Sequence, residues 1–212
     1  MSRLFTIILL FLGLCTSAQR KFEIWNKNQL TTRLNEQFSV KVAQKIQYAT
    51  TSSRLEVVYG EAYVVHRAKE WLDYGLGFRL VKSQPIQNTW ITENRPLAYV
   101  NFSDRLNEFT ITLGNRFEYR NFKNLNDHFR YRQALTLQFP KLTTWGMQFY
   151  TTEEAFIKLN DNGIHLLRFY GGIVAFTDKS FKLSAYYALQ KAKLLNKWIS
   201  SDVVGLNLAF TI

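Results

Sequence analysis

The chain is poor in residues that staple or break a polypeptide, with one cysteine, three prolines and ten glycines among 212 residues. The cysteine, Cys15, sits in an apolar N-terminal run, so the remainder can form no disulfide and no thiolate metal site. No stretch is rich enough in Pro, Gly or Ser to act as a linker, which argues for one domain. Amphipathic helical periodicity is also missing, and the apolar run from Leu4 to Leu14 is too short for a spanning helix. Stability must therefore come from packing and hydrogen bonding of some other element.

The first twenty residues, MSRLFTIILLFLGLCTSAQR, combine one basic residue (Arg3), the apolar run and the small-residue exit Thr16-Ser17-Ala18. That layout predicts a secretory signal peptide over residues 1–18, cleaved after Ala18, with residues 19–212 as the mature domain. Leu14 precedes Cys15 where lipidation calls for a small residue, so no lipid anchor is expected.

Acidic residues are few, 16 against 27 Lys and Arg, giving a net charge of +11. Such a surplus fits nucleic acid, an anionic membrane surface, or arginines that look at one another. Export argues against nucleic acid, and no zinc-finger spacing, ribonucleoprotein motif or recognition helix is present. Hydrophobic residues reach 47% and aromatics 16%, yet mean hydropathy is only -0.18, so apolar and polar residues must be finely interleaved.

The interleaving has period two, the signature of strands. Phe38, Val40, Val42, Gln44, Ile46 and Tyr48 alternate with Ser39, Lys41, Ala43, Lys45 and Gln47. Similar alternation runs over residues 55–65, 72–80, 109–120, 129–139 and 204–212, with one apolar face and one face of small or charged residues. In residues 55–65 the face read as apolar is Leu55, Val57, Tyr59, Glu61, Tyr63 and Val65. Weaker strands fill residues 22–33, 90–102, 144–158, 164–176 and 181–190, with an irregularity expected at Pro96 because it lacks a ladder donor. Residues 188–198 read as a loop.

The clean alternations run about eleven residues, the length of a tilted membrane-spanning strand rather than the 5 or 6 usual in soluble sandwiches. Connections near residues 35–36, 67–70, 103–107, 141–142 and 177–179 read as short, and those near 83–89, 122–127 and 191–198 as longer. Short turns alternating with longer loops fit a transmembrane barrel. The predicted fold is all-β, an antiparallel up-and-down transmembrane β-barrel. Eleven candidate strands conflict with the even number usual in bacterial barrels, so ten strands are expected with residues 22–33 left out, or twelve if one is missed. A soluble secreted or periplasmic binding barrel is the competing architecture.

Within the barrel reading, the charged face acquires a pattern. Arg79, Glu93 with Arg95, the Arg116-Glu118-Arg120 ladder, Arg130 with Arg132, Glu153 and Arg168 are the candidate lumen lining. They form either a self-paired salt-bridge network filling the interior or a cationic lumen that guides anions. Paired carboxylates for acid–base catalysis are not expected, because Glu153 and Glu154 are adjacent and point to opposite faces. His66, His128 and His165 show no metal or nucleophile spacing, so neither a catalytic set, a metal nor a cofactor is assigned. A membrane-embedded lipid-modifying enzyme stays open as the alternative to a structural barrel or small-solute channel.

The order of motifs is also informative: Trp25, Gly77-Phe78-Arg79, Glu93 with Arg95, Arg116-Glu118-Arg120, Arg130 with Arg132, Glu153-Glu154-Ala155-Phe156 and Arg168. In this order the chain resembles the family called domain of unknown function 2490 over nearly all of its mature length. Phe78 stands where that family has tyrosine, and the chain ends Phe210-Thr211-Ile212 rather than on an aromatic residue. The resemblance implies a Gram-negative outer-membrane barrel of unestablished role. Its partners would be outer-membrane lipid, lipopolysaccharide and the barrel-assembly machinery, with no nucleic acid.

Overall fold

The computed structural model describes residues 20–86, 88–123, 125–159, 163–195 and 197–212, and among these every regular element is a strand. The leader assigned to residues 1–18, with Cys15, lies outside the described residues. Eleven strands follow one another: β1 (Lys21–Arg33), β2 (Phe38–Ala49), β3 (Arg54–Lys69), β4 (Leu72–Ile86), β5 (Thr89–Leu106) and β6 (Phe109–Phe122). The remainder are β7 (His128–Gln138), β8 (Gln148–Lys158), β9 (Gly163–Thr177), β10 (Phe181–Leu194) and β11 (Lys197–Thr211).

Each strand pairs antiparallel with its neighbour in sequence, and β1 closes the barrel on β11 in parallel. The count of eleven corrects the ten or twelve expected. Parity explains the seam: in an up-and-down barrel with an odd number of strands, the first and last run the same way. Residues 22–33, set aside from the sequence, are a full member of the sheet, with Trp25 opposite both Gln47 and Gly205. Their alternation is hard to read because the outer face carries Asn26 and Asn28 while the inner face carries a tryptophan.

Residues 188–198 are a second correction, since β10 and β11 run through them as a hairpin pairing Ala192 with Ile199 and Leu194 with Lys197. Lys191, Lys193 and Lys197 interrupt the apolar alternation there without interrupting the backbone ladder. The predicted alternation of short and long loops also fails. The longest connection, residues 139–147, lies at the end assigned short turns, whereas β4 extends to Ile86 and β5 begins at Thr89. At Pro96 the ladder to β4 is continuous, but Arg95 and Pro96 have no partner in β6. The irregularity is a two-residue gap, and the register on either side of it is unchanged.

The register sorts side chains into an interior and an outer face. On β6 and β7, Phe117 lies opposite Tyr131 outside and Glu118 opposite Arg130 inside, as alternation predicts. On β3 the faces are reversed from the sequence reading. An extra residue in β3 at the register shift between Gln47 and Tyr48 leaves Leu55 outside. It turns Val57, Tyr59, Glu61 and Tyr63 inward, where Glu61 meets Arg79 across the ladder. Both faces of β3 are apolar enough that periodicity alone cannot choose between them.

Three interior glycines share a cause. Tyr63, Tyr150 and Tyr186 lie flat over their cross-strand partners Gly77, Gly172 and Gly205, where a Cβ would collide with the ring. Phenol rings thus cover bare backbone, and the interior wall is thin where a bulky layer must fit.

Candidate functional site

Four interior carboxylates organise the basic residues around them. Glu61 of β3 accepts from Arg79 Nε and the Tyr63 hydroxyl, each at 2.7 Å, and lies 2.9 Å from Lys27 Nζ of β1. Glu93 of β5 is clamped by two guanidinium groups, Arg95 through Nε and Nη2 at 2.7 and 2.8 Å, and Arg120 through the same atoms at 2.8 Å each. Fork-on-fork pairing of this kind adds geometric definition to charge. The gap in the ladder at Arg95 and Pro96 lies beside this clamp.

Glu118 of β6 is 1% exposed and faces three arginines. Arg130 Nε donates to it at 2.7 Å, Arg116 Nη2 stands at 2.6 Å and Arg95 Nη1 at 3.6 Å. Glu154 of β8 pairs with Arg132, accepts from the Tyr170 hydroxyl at 3.1 Å, and has Arg168 Nη1 at 3.6 Å. Buried charges of this type persist only when paired, because desolvation is otherwise uncompensated.

Pairing does not consume all the cations. A cavity of about 470 Å³ in the barrel interior is lined by nine basic side chains. Glu93 and Glu154 are on its wall, and Glu61 and Glu118 pair with cations that line it. A second cavity of about 170 Å³ shares Lys27, Arg116 and Arg132 with the first, so a layer of positive charge stands between the two. The arrangement can attract and orient anions. His66 lies between the rings of Phe38 and Tyr74, His128 meets Arg120 at 3.4 Å, and His165 packs edge-on to Phe156.

Of the ten residues anticipated from sequence, nine face inward: Arg79, Glu93, Arg95, Arg116, Glu118, Arg120, Arg130, Arg132 and Arg168. Glu153 does not. It is exposed on the outer face opposite Leu135 and Phe169, and the inward carboxylate is Glu154, opposite Ala134 and Arg168. Alternation separates the two residues but does not say which is inside; the register with β7 decides.

Sequence reasoning missed Trp25, Lys27, Lys45, Glu61 and Glu154. Lys45 carried a usable signal, lying on the face of β2 that reads as small and polar. Trp25 and Lys27 were lost with the strand that bears them. Trp25 is 1% exposed, donates through Nε1 to Glu23 at 2.8 Å, and has Lys45 Nζ 3.5 Å above its ring.

No curated protein matches the chain. A family model described as a protein of unknown function, DUF2490, matches residues 22–200. Since that match runs from the second residue of β1 into β11, the chain belongs to this family of unknown function.

Proposed function

We propose that the barrel spans a bacterial outer membrane and forms a narrow, anion-selective passage. The observation that carries this reading is the charge of the interior: nine basic side chains around one cavity, with four carboxylates to balance them. Rings of fixed Arg and Lys favour anions in pores, and a barrel of more than eight strands leaves interior space beyond what side chains fill.

The outer face supports the membrane part of the reading. Leu76 is 70% exposed, and Val64, Phe117 and Leu135 are about half exposed. An exposed apolar exterior of this extent calls for a cover. Aromatic rings collect towards both ends: Phe176, Phe181 and Phe210 in contact at one, Tyr119 and Phe129 at the other. Bands of this sort flank the apolar belt of outer-membrane barrels. Under this proposal residues 1–18 direct export, the assembly machinery inserts the barrel, and lipid and lipopolysaccharide surround it.

The test is electrical. Purified barrel in planar bilayers under a KCl gradient should give a reversal potential of chloride sign, and Arg132→Glu or Arg116→Glu should reduce or invert it. Absence of conductance, or cation preference in the wild type, overturns the passage.

A further inference from the structure

Surplus charge is concentrated at one corner of the larger cavity. Lys45 is 8% exposed, its Nζ rests over Trp25, and no carboxylate lies within ion-pair distance of it among the described residues. The tryptophan face attracts a cation but does not neutralise it. Arg168 stands 4.8 Å from the same ring; its Nε donates to Gln190 at 2.8 Å, while Nη1 is 3.6 Å from Glu154, beyond hydrogen-bond reach. Arg132 pairs with Glu154, and its buried Nε has no partner.

Three cations therefore share one carboxylate, which leaves two positive charges and free donor positions on Lys45, Arg132 and Arg168. Burial of charge without a counter-charge is costly, and the cavity beside these groups, about 470 Å³, has room for an occupant larger than water. The rest of the corner is already committed. Glu23 is held by Trp25 Nε1 and by Lys21 Nζ at 3.0 Å, which fixes the indole without placing a carboxylate on Lys45.

We propose that this corner is a binding site for a small oxyanion carrying two negative charges, such as hydrogen phosphate or a short dicarboxylate. Guanidinium forks match the paired oxygens of both chemistries, and Lys45 adds a point charge that a monovalent halide would leave uncompensated. The site deepens the passage reading, resting on it for access to the interior, and gives that passage a preferred solute.

The experiment titrates full-length barrel, folded in phosphate-free detergent micelles, with inorganic phosphate, succinate and chloride at matched ionic strength. Heat release and the Trp25 fluorescence, taken as wild type minus Trp25→Phe, are followed. Saturable binding of phosphate or succinate, but not chloride, is expected. Affinity should fall at least about tenfold in Lys45→Met and in Arg168→Gln, and be retained in Lys45→Arg, where one unit of charge stays in place. Heat-modifiable gel mobility confirms that each variant folds, and only folded variants are compared. Chloride-only or non-saturable binding, or wild-type affinity in folded Lys45→Met, overturns the site. A barrel that conducts anions without saturable binding sinks the site and leaves the passage, whereas saturable binding in a barrel that conducts nothing sinks the passage and leaves the site.

Discussion

Glu118→Gln is the substitution that most directly weighs the interior network. Glutamine fills the same volume, so no cavity contribution enters, and the change removes one negative charge from among Arg95, Arg116 and Arg130. Breaking a buried pair by neutralising one partner costs about 3–5 kcal/mol, because the surviving charge is left uncompensated. The amide oxygen retains one acceptor for Arg130, which places the expected loss at the lower end, about 3 kcal/mol. For a chain of this size, that corresponds to a fall in Tm of about 6–12 °C. Urea unfolding of the barrel in micelles or vesicles, followed by tryptophan fluorescence and gel mobility, reads the change. Removing one cation as well, in Glu118→Gln with Arg116→Gln, should recover at least about 1 kcal/mol, since the two sites are in contact and not additive. A Glu118→Gln barrel within about 0.5 kcal/mol of wild type would refute the reasoning and mean that water, not Glu118, carries these guanidinium groups.

Two further outcomes follow from groups outside the network. Glu153 faces outward in the middle of β8, so Glu153→Leu should stabilise the barrel in lipid vesicles by about 1–2 kcal/mol, less than the midplane figure for Lys or Arg; a loss of stability in vesicles would count against a lipid-facing position. In the loop after β6, the Phe122 backbone N–H, the Tyr119 hydroxyl and the Asn121 amide all donate to Asp127, at 2.8, 2.8 and 2.7 Å, and hold its pKa below the ordinary aspartate value. Because the folded pKa is depressed, this tie is fully present above the unfolded value of about 3.9 and is lost as pH falls through the folded one. The protection factor of the Phe122 amide, its exchange rate relative to the intrinsic rate at each pH, should fall on acidification below about pH 4 and lose that dependence in Asp127→Asn; unchanged protection through that range would exclude the tie.

What could be read from the sequence depended on how cleanly each strand separates its two faces. β6 and β7 alternate aromatic with arginine or glutamate, so the alternation puts Arg116, Glu118, Arg120, Arg130 and Arg132 on one face, and the structure turns that face inward. β1 and β3 lack that contrast. β1 turns amides outward and an indole inward, and β3 carries Val58, Ala62 and Val64 outside against Val57, Tyr59 and Tyr63 inside. Glu61 was therefore placed on the wrong face, although its need for a cation was visible once Arg79 lay opposite. The choice between Glu153 and Glu154 rests on register, which is a property of two strands together and is not encoded in the alternation of one.

The parts of the site that were hard to read are also those that depend on closure. The clamps on Glu93 and Glu118 come from β5, β6 and β7, successive hairpins whose contacts are near in sequence. The Trp25 corner needs β1 for the indole, β2 for Lys45, and β8 and β9 for Glu154 and Arg168. The opposite edge of β1 is satisfied only by β11, with Trp25 paired to Gly205 across nearly the whole chain. Contacts so distant in sequence form only after loop entropy has been overcome. The carboxylate clamps can thus assemble hairpin by hairpin, while the least compensated cations are brought together by the parallel seam. An oxyanion bound at that corner would stabilise the closed barrel selectively, because the open sheet does not contain its site.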